Sequence, residues 1–497
     1  MNVCIYIYIY ICLFTVTFWP YFSLLFFLFF HTHTHTHCDI EYTPRIRRAM
    51  TVPVSLRGSI FMSTILIVSF ASYFMLTCWP ILCIAAVRMC MGSSPKKLIS
   101  LANKLYDLTQ ELWIHMIVFL LEGVLNLHIA YKLVSKNKIP GERKLSDVFA
   151  TPPPGKVKLV ILNHRCHLDW LMMHPFLARA GITRSLRIVL KAELSKVPVF
   201  GWAMQLFRYL FLNRNWTLDR ENVCRMMNHY KESDGTVLLL FPEGTDLTDN
   251  SRKKCNSYAL RNNLPQFQYV LNPRSTGIVE MKNITGVNNI EEIIDITLGY
   301  TDFTPGERPT ELSLFNGRQP RKIHIVCTRH RFGGGGDDST AEKDDGEFFT
   351  VPSDDEGMKD WLNDRFSKKE LLLSNFYSNN PVGFDDHHIR KVLGDDCGID
   401  AYDEDEEVAR DPKSTKLSRL IRGLGMWYSV AVLSYWLLSV ALPFAIGGYW
   451  VVVWCTVCGT WSFWASRGYF GLAHYLVQPF ASSDEREGNT ARVVKSD

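Results

Sequence analysis

Between residues 155 and 330, short runs rich in Val, Ile, Leu and aromatic residues alternate with stretches of helical pattern. Short apolar runs bounded by turn residues predict strands, and strands that alternate with helices predict a sheet with helices on its faces. The predicted strands are 156–162, 186–190, 208–212, 236–241, 268–272, 291–301 and 321–328. The sequence therefore predicts an α/β domain with a mixed, largely buried sheet and flanking helices. In such sheets functional residues collect in the loops beyond the strand ends.

The composition leaves enough apolar sequence for a large core and for contact with a membrane. Of 497 residues, 47% are hydrophobic. The net charge of +4 is too small and too evenly spread to predict nucleic-acid binding. The 13 cysteines show no paired spacing apart from Cys455 and Cys458, which have no companion ligands. We therefore expect a reduced, cytosol-facing domain without a metal site.

Several apolar segments predict contact with a bilayer. Residues 1–30 carry no charge and are long enough to span one, but adjoining Ile-Tyr and His-Thr repeats resemble translated dinucleotide repeats, so Met50 is an alternative start. Residues 59–87 form a second apolar run with basic flanks. Two further runs, 424–443 and 447–465, are joined by a turn without Lys or Arg. They predict a transmembrane hairpin with both ends in the cytosol.

These patterns divide the chain into six parts. They are a low-complexity extension at 1–49, membrane-associated helices at 50–150, the α/β domain at 151–330, an acidic flexible insertion with one helix at 331–412, the C-terminal hairpin at 413–480 and a polar tail at 481–497. The shorter apolar stretch at 113–127 contains Glu122. It is predicted to lie in one leaflet or to pack on the next domain.

The sequence ILNHRCHLDW places His164 and Asp169 directly after the first predicted strand. On one continuous helix a spacing of five residues would point the two side chains apart, so they can meet only if a turn intervenes. In that case the carboxylate would fix the imidazole tautomer and leave the other ring nitrogen as a general base. An ordinary polar loop, or a Cys166 nucleophile, is the alternative interpretation of these residues.

A second group of polar residues follows the strand at 236–241. Glu243, Gly244 and Thr245 belong to the sequence FPEGT, in which glycine permits a close backbone approach and threonine offers a hydroxyl group. A plain glycine turn is the alternative. Arg214 follows the predicted strand 208–212, and its planar guanidinium suits a phosphate ester.

Four blocks in this order resemble those of the glycerophospholipid acyltransferases, and of the lysocardiolipin acyltransferase branch in particular. The blocks are N-H-x-x-x-x-D at 163–169, the arginine at 214, FPEGT at 241–245 and the proline-bearing strand end VLNPRSTG at 270–277. The resemblance covers roughly residues 55–380. Many members have arginine after FPEGT, whereas this chain has Asp246, as that branch does.

The resemblance implies acyl transfer from acyl-CoA, as a co-substrate, to a free hydroxyl of a lysophospholipid. It implies that His164 is the base, that Asp169 orients it, and that Arg214, Glu243, Gly244 and Thr245 hold the glycerol-phosphate part of the acceptor. No cofactor, nucleic acid or protein partner is expected. The chain should be an integral membrane protein, of the endoplasmic reticulum by family resemblance. A catalytically silent lipid-binding protein and a CoA-independent transacylase are the alternatives.

Overall fold

The computed structural model describes residues 55–92, 95–137, 145, 149–301, 309–333, 346–378, 383–405, 416–445, 450–468 and 470–477. The predicted N-terminal extension and the polar tail lie outside the described residues, as does the middle of the glycine-rich run at 331–347.

A nine-stranded mixed sheet forms the centre of the molecule. Its strands run in the order β4-β3-β5-β2-β6-β7-β1-β9, and β8 pairs with β7. They are β1 His128–Ser135, β2 Val157–Leu162, β3 Leu186–Lys191, β4 Leu210–Leu212, β5 Thr236–Leu240, β6 Ile290–Tyr300, β7 Lys322–Phe332, β8 Phe349–Val351 and β9 Gly398–Asp403. From β4 to β6 neighbouring strands are parallel, whereas β6 pairs with β7, and β1 with β9, in antiparallel fashion. All residues of β2 and β5 are buried, as expected for parallel strands covered on both faces.

Fourteen α-helices occur among the described residues. They are α1 Leu56–Ser72, α2 Cys78–Met91, α3 Lys96–Val118, α4 Asp169–Met172, α5 His174–Arg179, α6 Phe200–Leu206, α7 Trp216–Lys231, α8 Asp249–Arg261, α9 Ser275–Thr285, α10 Glu311–Phe315, α11 Asp355–Ser378, α12 Asp386–Leu393, α13 Lys416–Ala445 and α14 Trp450–Ala465. Helices α1 and α2 are continuous through a π-helical turn at Tyr73–Thr77, and α3 ends in another at Phe119–Val124.

The predicted α/β domain agrees with the structure for the central strands of the sheet. The prediction differs from the structure at the edges of the sheet. Residues 268–272 form no strand, because the backbone N–H groups of 268–270 donate to Glu370 and that of Leu271 donates to Glu243. The sheet also gains β1 from the segment predicted as membrane-associated helices. The insertion predicted as flexible with one helix contributes that helix, α11, and in addition β8, β9 and α12.

The terminal helices pack together beside the sheet. The Tyr73 hydroxyl donates to Ser462 at 2.6 Å, and the Trp454 indole donates to the Phe74 carbonyl at 3.0 Å. Among the described residues, one continuous helix, Leu56–Met91, is long and apolar enough to cross a bilayer. Helices α13 and α14 form where the hairpin is predicted, but their crossing of a membrane stays a prediction. The stretch 113–127 is mostly buried, with α3 packed on α5.

Candidate functional site

The two loops that contain the predicted site residues follow neighbouring strands. Strands β2 and β5 are parallel, with Ile161 opposite Leu240, so their carboxyl ends lie at the same edge of the sheet. Asn163 fixes the first loop to β6, because its side-chain amide donates to the Leu298 carbonyl and accepts from the Leu298 N–H. His164 therefore begins its loop from a rigid position.

A turn joins His164 to Asp169. The Asp169 N–H donates to the Cys166 carbonyl at 3.1 Å, and Asp169 begins the short helix α4. The turn brings Oδ2 of Asp169 to 2.9 Å from Nδ1 of His164. The Asp169 side chain is fully buried, whereas that of His164 is 16% exposed. Nδ1 therefore faces the carboxylate, and Nε2 is the nitrogen left for chemistry.

Asp169 is held by three donors besides the imidazole. The Cys166 N–H donates to Oδ2 at 2.9 Å, the Cys166 thiol to Oδ1 at 3.2 Å and the Tyr300 hydroxyl to Oδ1 at 2.6 Å. These hydrogen bonds fix the orientation of the carboxylate. Burial, and then the Asp169 charge, raise the pKa of the Cys166 thiol well above its ordinary value. Because a thiolate is the reactive form of cysteine, this environment disfavours Cys166 as a nucleophile.

Glu243 ties the site loops together. Its Oε1 accepts the His164 N–H at 2.7 Å, and its Oε2 accepts the Leu271 N–H at 3.0 Å. The residue is 3% exposed. Burial, opposed by these two hydrogen bonds, raises the pKa of the Glu243 carboxyl well above its ordinary value. Both carboxylate oxygens thus contact backbone groups of the protein, where the sequence predicts contact with a substrate.

The His164 loop and the FPEGT loop also touch directly. The His164 ring stacks on that of Phe241, with centroids 4.2 Å apart and planes inclined by 27°. The Leu247 N–H donates to the His164 carbonyl at 2.8 Å. The imidazole is therefore clamped between an aromatic ring and a carboxylate, with little freedom to rotate.

Two arginines lie beside this assembly without partners. In the described part of the chain, neither Arg214 nor Arg274 has a side-chain hydrogen bond or ion pair, and both are exposed. Partial desolvation and then the Arg274 charge lower the pKa of Arg214, while Glu193 and Asp246 oppose them. Gly244 has φ +71°, and a Cβ there would lie 3.3 Å from Cδ of Arg274. Two unpaired guanidiniums next to a glycine turn are a suitable site for a phosphate.

Asp246 follows FPEGT at the position where many glycerophospholipid acyltransferases have arginine. Its side chain faces a histidine. Its Oδ2 lies 3.9 Å from Nδ1 of His167, and Nε2 of His167 lies 2.8 Å from Oε2 of Glu311. Burial lowers the pKa of His167, but Asp246 and Glu311 outweigh burial and raise it to about 10. His167 is therefore a cation at neutral pH and is unsuited to act as a second base. Thr245 lies beside Asp246, with its hydroxyl 3.5 Å from Oδ1.

Sequence reasoning missed three residues of this assembly: Tyr300, Arg274 and Glu370. Tyr300 ends β6, so its position at the carboxyl end of a strand was a signal that could have identified it. Arg274 lies within the quoted block 270–277 and precedes α9 directly. Glu370 accepts three successive N–H groups, at 268–270, and so shapes the loop that leads to Arg274. That contact joins residues about a hundred positions apart and leaves no local signal.

Comparisons with known proteins agree with the motifs. Residues 147–288 match the model of the Acyltransferase family. The chain is 33% identical over 287 residues to lysocardiolipin acyltransferase 1 of Danio rerio, covering 57% of this chain and 65% of the relative. It is 31% identical over 228 residues to lysophosphatidylinositol acyltransferase 10 of Caenorhabditis elegans, covering 45% of this chain and 54% of that relative. The resemblance predicted from the motifs is thereby confirmed.

The chain spans less than two thirds of the length of these curated relatives. Among solved structures, the 1-acyl-sn-glycerophosphate acyltransferase PlsC of Thermotoga maritima aligns with 58% of this chain and 90% of its own, at 15% identity and a TM-score of 0.29. That score is too low to establish a shared fold.

Proposed function

We propose that the protein transfers a fatty acyl group from acyl-CoA to a free hydroxyl of a lysophospholipid. The observation that carries the proposal is the His164–Asp169 pair, held at the end of β2 within the family match. A thioester is already activated, so the reaction needs no covalent enzyme intermediate. It needs a base for the hydroxyl proton and a means of holding the acceptor.

In this mechanism His164 acts through Nε2. The acceptor hydroxyl gives its proton to Nε2 while its oxygen bonds to the thioester carbonyl carbon. When the carbon–sulfur bond breaks, the CoA thiolate takes the proton from the imidazolium. Asp169, which accepts from Nδ1, keeps the ring in the required tautomer and stabilises its positive charge.

Arg214 and Arg274 hold the phosphate of the acceptor. Both guanidiniums lack partners in the described residues, and the turn at Gly244 lets a ligand approach the backbone. Glu243 serves this site by positioning the backbones of His164 and Leu271. Asp246 reduces the positive charge around the phosphate, which favours a phosphodiester over a more highly charged phosphomonoester. The similar relatives named for lysocardiolipin and lysophosphatidylinositol fit such an acceptor.

The continuous helix Leu56–Met91 anchors the protein in a membrane, where the lysophospholipid acceptor resides. The α13–α14 pair forms the second membrane element. We place the α/β domain on the cytosolic side of the endoplasmic reticulum, because acyl-CoA is available there.

Release of CoA thiol by membranes that contain the full chain tests the reaction. Wild-type membranes should release thiol when given acyl-CoA together with one of a panel of lysophospholipids, and His164→Ala should lower the rate at least about 100-fold, since general bases contribute about that much or more. His387→Ala, at an exposed histidine of α12, is the matched control and should be unchanged.

Three outcomes would contradict the proposal. Wild-type activity in the His164→Ala variant would rule out His164 as the general base. Lysolipid binding without turnover across the acyl-CoA panel would indicate a silent lipid-binding protein, and acyl exchange in CoA-depleted membranes would indicate a transacylase.

A further inference from the structure

A cavity lies away from the His164 site, at the beginning of the helix that could cross a membrane. It has a volume of about 370 Å³. Its walls come from the first turn of α1, the segment before β1, the segment before β7 and the end of β9; they are formed by Arg57, Leu125, Asn126, His128, Gln319, Arg321, Lys322 and Asp405. None of these residues belongs to the assembly around His164, so a ligand here would be separate from the acyl acceptor.

The wall of this cavity contains more cations than carboxylates. Arg57, Arg321 and Lys322 are cations, and the last is paired with two carboxylates: its Nζ lies 2.7 Å from Asp403 and 2.5 Å from Asp405. Asp405 also lies 2.7 Å from Nδ1 of His128. Arg57 is exposed and has no hydrogen bond or ion pair within the described residues. A phosphodiester, which has a single negative charge, would pair with Arg57.

One polar atom of the cavity wall needs a donor. The Gln319 Nε2 group donates to the Leu125 carbonyl at 2.8 Å, which fixes the amide. Its Oε1 is buried and has no hydrogen-bond partner among the described residues. A buried acceptor without a partner is costly, and a ligand hydroxyl would satisfy it. The cavity therefore offers an acceptor for a hydroxyl beside cations for a phosphate.

Apolar side chains continue outward from the cavity along α1. Leu56 is 76% exposed and Ile60 is 45% exposed, and they flank Arg57 on the helix that could enter a bilayer. Their spacing of four residues places them on one face. Acyl chains could lie along this face while the phosphate contacts Arg57. A soluble phosphate compound would make no use of it.

We propose that this cavity binds the head group of an anionic membrane phospholipid with a hydroxylated head, such as phosphatidylglycerol or phosphatidylinositol. The phosphodiester contacts Arg57, Arg321 and Lys322, and a head-group hydroxyl donates to Gln319. Basic groups next to a membrane helix attract anionic lipids, and here they line a shaped cavity. The site is distinct from the proposed catalytic site and does not depend on its activity.

The test titrates the detergent-solubilised full chain with dihexanoyl-phosphatidylglycerol and follows binding by microscale thermophoresis. Wild-type protein should bind it at least about tenfold more tightly than dihexanoyl-phosphatidylcholine, which has no net charge. The double variant Arg57→Gln, Arg321→Gln should lose this preference. The double variant Arg318→Gln, Arg261→Gln removes the same charge outside the cavity and should keep it.

Arg57→Gln alone, at an exposed position, supplies the same comparison when the double variant does not fold. Equal binding of the two lipids, or an unchanged preference in the cavity variants, would overturn the proposal. A competition experiment distinguishes a phospholipid from a soluble phosphate compound as the ligand. If inorganic phosphate or CoA displaces the lipid at equal concentration, the cavity binds a soluble phosphate compound. The phospholipid assignment would then be wrong.

Discussion

At the scale of single residues, Tyr300 is placed to control the His164–Asp169 pair without touching a substrate. Its buried hydroxyl donates to Oδ1 of Asp169 at 2.6 Å, while Oδ2 faces His164. A hydrogen bond to a charged group of this kind contributes about 1.5–3 kcal/mol. Tyr300 therefore acts as a positioning residue that also draws negative charge away from the imidazole.

Tyr300→Phe should lower kcat/KM about tenfold, because the Asp169 carboxylate loses one of the hydrogen bonds that fix its orientation toward the imidazole. Without the donor, the carboxylate attracts the imidazolium more strongly, so the base stays protonated to higher pH. The acid limb of the rate profile should move to higher pH. The rate of CoA release across the pH range measures both effects.

Tyr269→Phe is the control for this change, because Tyr269 stacks on Tyr377 nearby and, among the described residues, has no hydrogen bond to Asp169. It should leave the pH profile in place. A merely structural role of Tyr300 would lower the amount of folded protein without moving the acid limb, and that result would contradict the prediction.

The sequence was sufficient to predict that a turn brings Asp169 to His164, because the two residues are only five positions apart. The contacts of Glu243 could not be predicted from the sequence. A glutamate in a glycine-containing loop could face a ligand or the backbone of another loop, and only the tertiary arrangement decides which. Arg274 was visible in the sequence, but its proximity to Gly244 depends on the path of the loop shaped by Glu370.

At the scale of elements, a close helix contact joins the two ends of the described chain. Helix α13 packs on α3, and a Cβ at Gly425 would lie 2.1 Å from the His115 carbonyl oxygen. A methyl group there cannot be accommodated unless the helices move apart. The glycine therefore sets the distance between the C-terminal pair and the helix that supports α5.

Gly425→Ala should destabilise the protein by about 1–3 kcal/mol, the usual cost of overpacking. Gly423→Ala is a matched control on the same helix, since a Cβ there has no atom within 4 Å. It should be neutral or stabilise by up to about 1 kcal/mol through helix propensity. Thermal unfolding of the detergent-solubilised full chain measures the difference, and equal effects of the two substitutions would show that α13 does not pack on α3.

Six of the seven predicted strands form, because buried parallel strands have a distinctive apolar pattern. Strand β1 was not predicted, because its apolar residues directly follow the apolar helical sequence that precedes it. Strand β9 has the sequence GIDAYD, in which acidic residues mask a strand of intermediate burial at the sheet edge. Its position is decided by pairing with β1, which is more than 260 residues away, and local patterns contain no such information.

At the scale of the whole molecule, Arg179 connects three distant parts of the chain. Its guanidinium contacts Glu122 at the end of α3 and Glu404 after β9, at 2.5 and 3.2 Å. All three side chains are at most 6% exposed. Burial lowers the pKa of Arg179, but the two carboxylates outweigh burial and raise it. The edge of the sheet and the helical layer are thus joined by one buried cation.

Arg179→Met should lower the free energy of unfolding by about 3–5 kcal/mol, because Glu404 loses its cation and Glu122 keeps only Arg422, whose Nε lies 3.8 Å from Oε2 of Glu122. Arg184→Met removes an arginine that pairs with Glu111 but is 60% exposed, and it should cost at most about 1 kcal/mol. Chemical denaturation of the purified full chain compares the two variants. A small effect of Arg179→Met would show that the carboxylates find other partners.

The contacts around His164 have a consequence for protein synthesis. The imidazole and its carboxylate are five residues apart, but the groups that hold them come much later in the chain. Glu243 follows His164 by 79 positions and Tyr300 follows Asp169 by 131. A ribosome must therefore complete β6 before the base acquires its full set of supports. On the proposal that Leu56–Met91 enters a membrane, the nascent chain reaches the bilayer well before the site around His164 is complete.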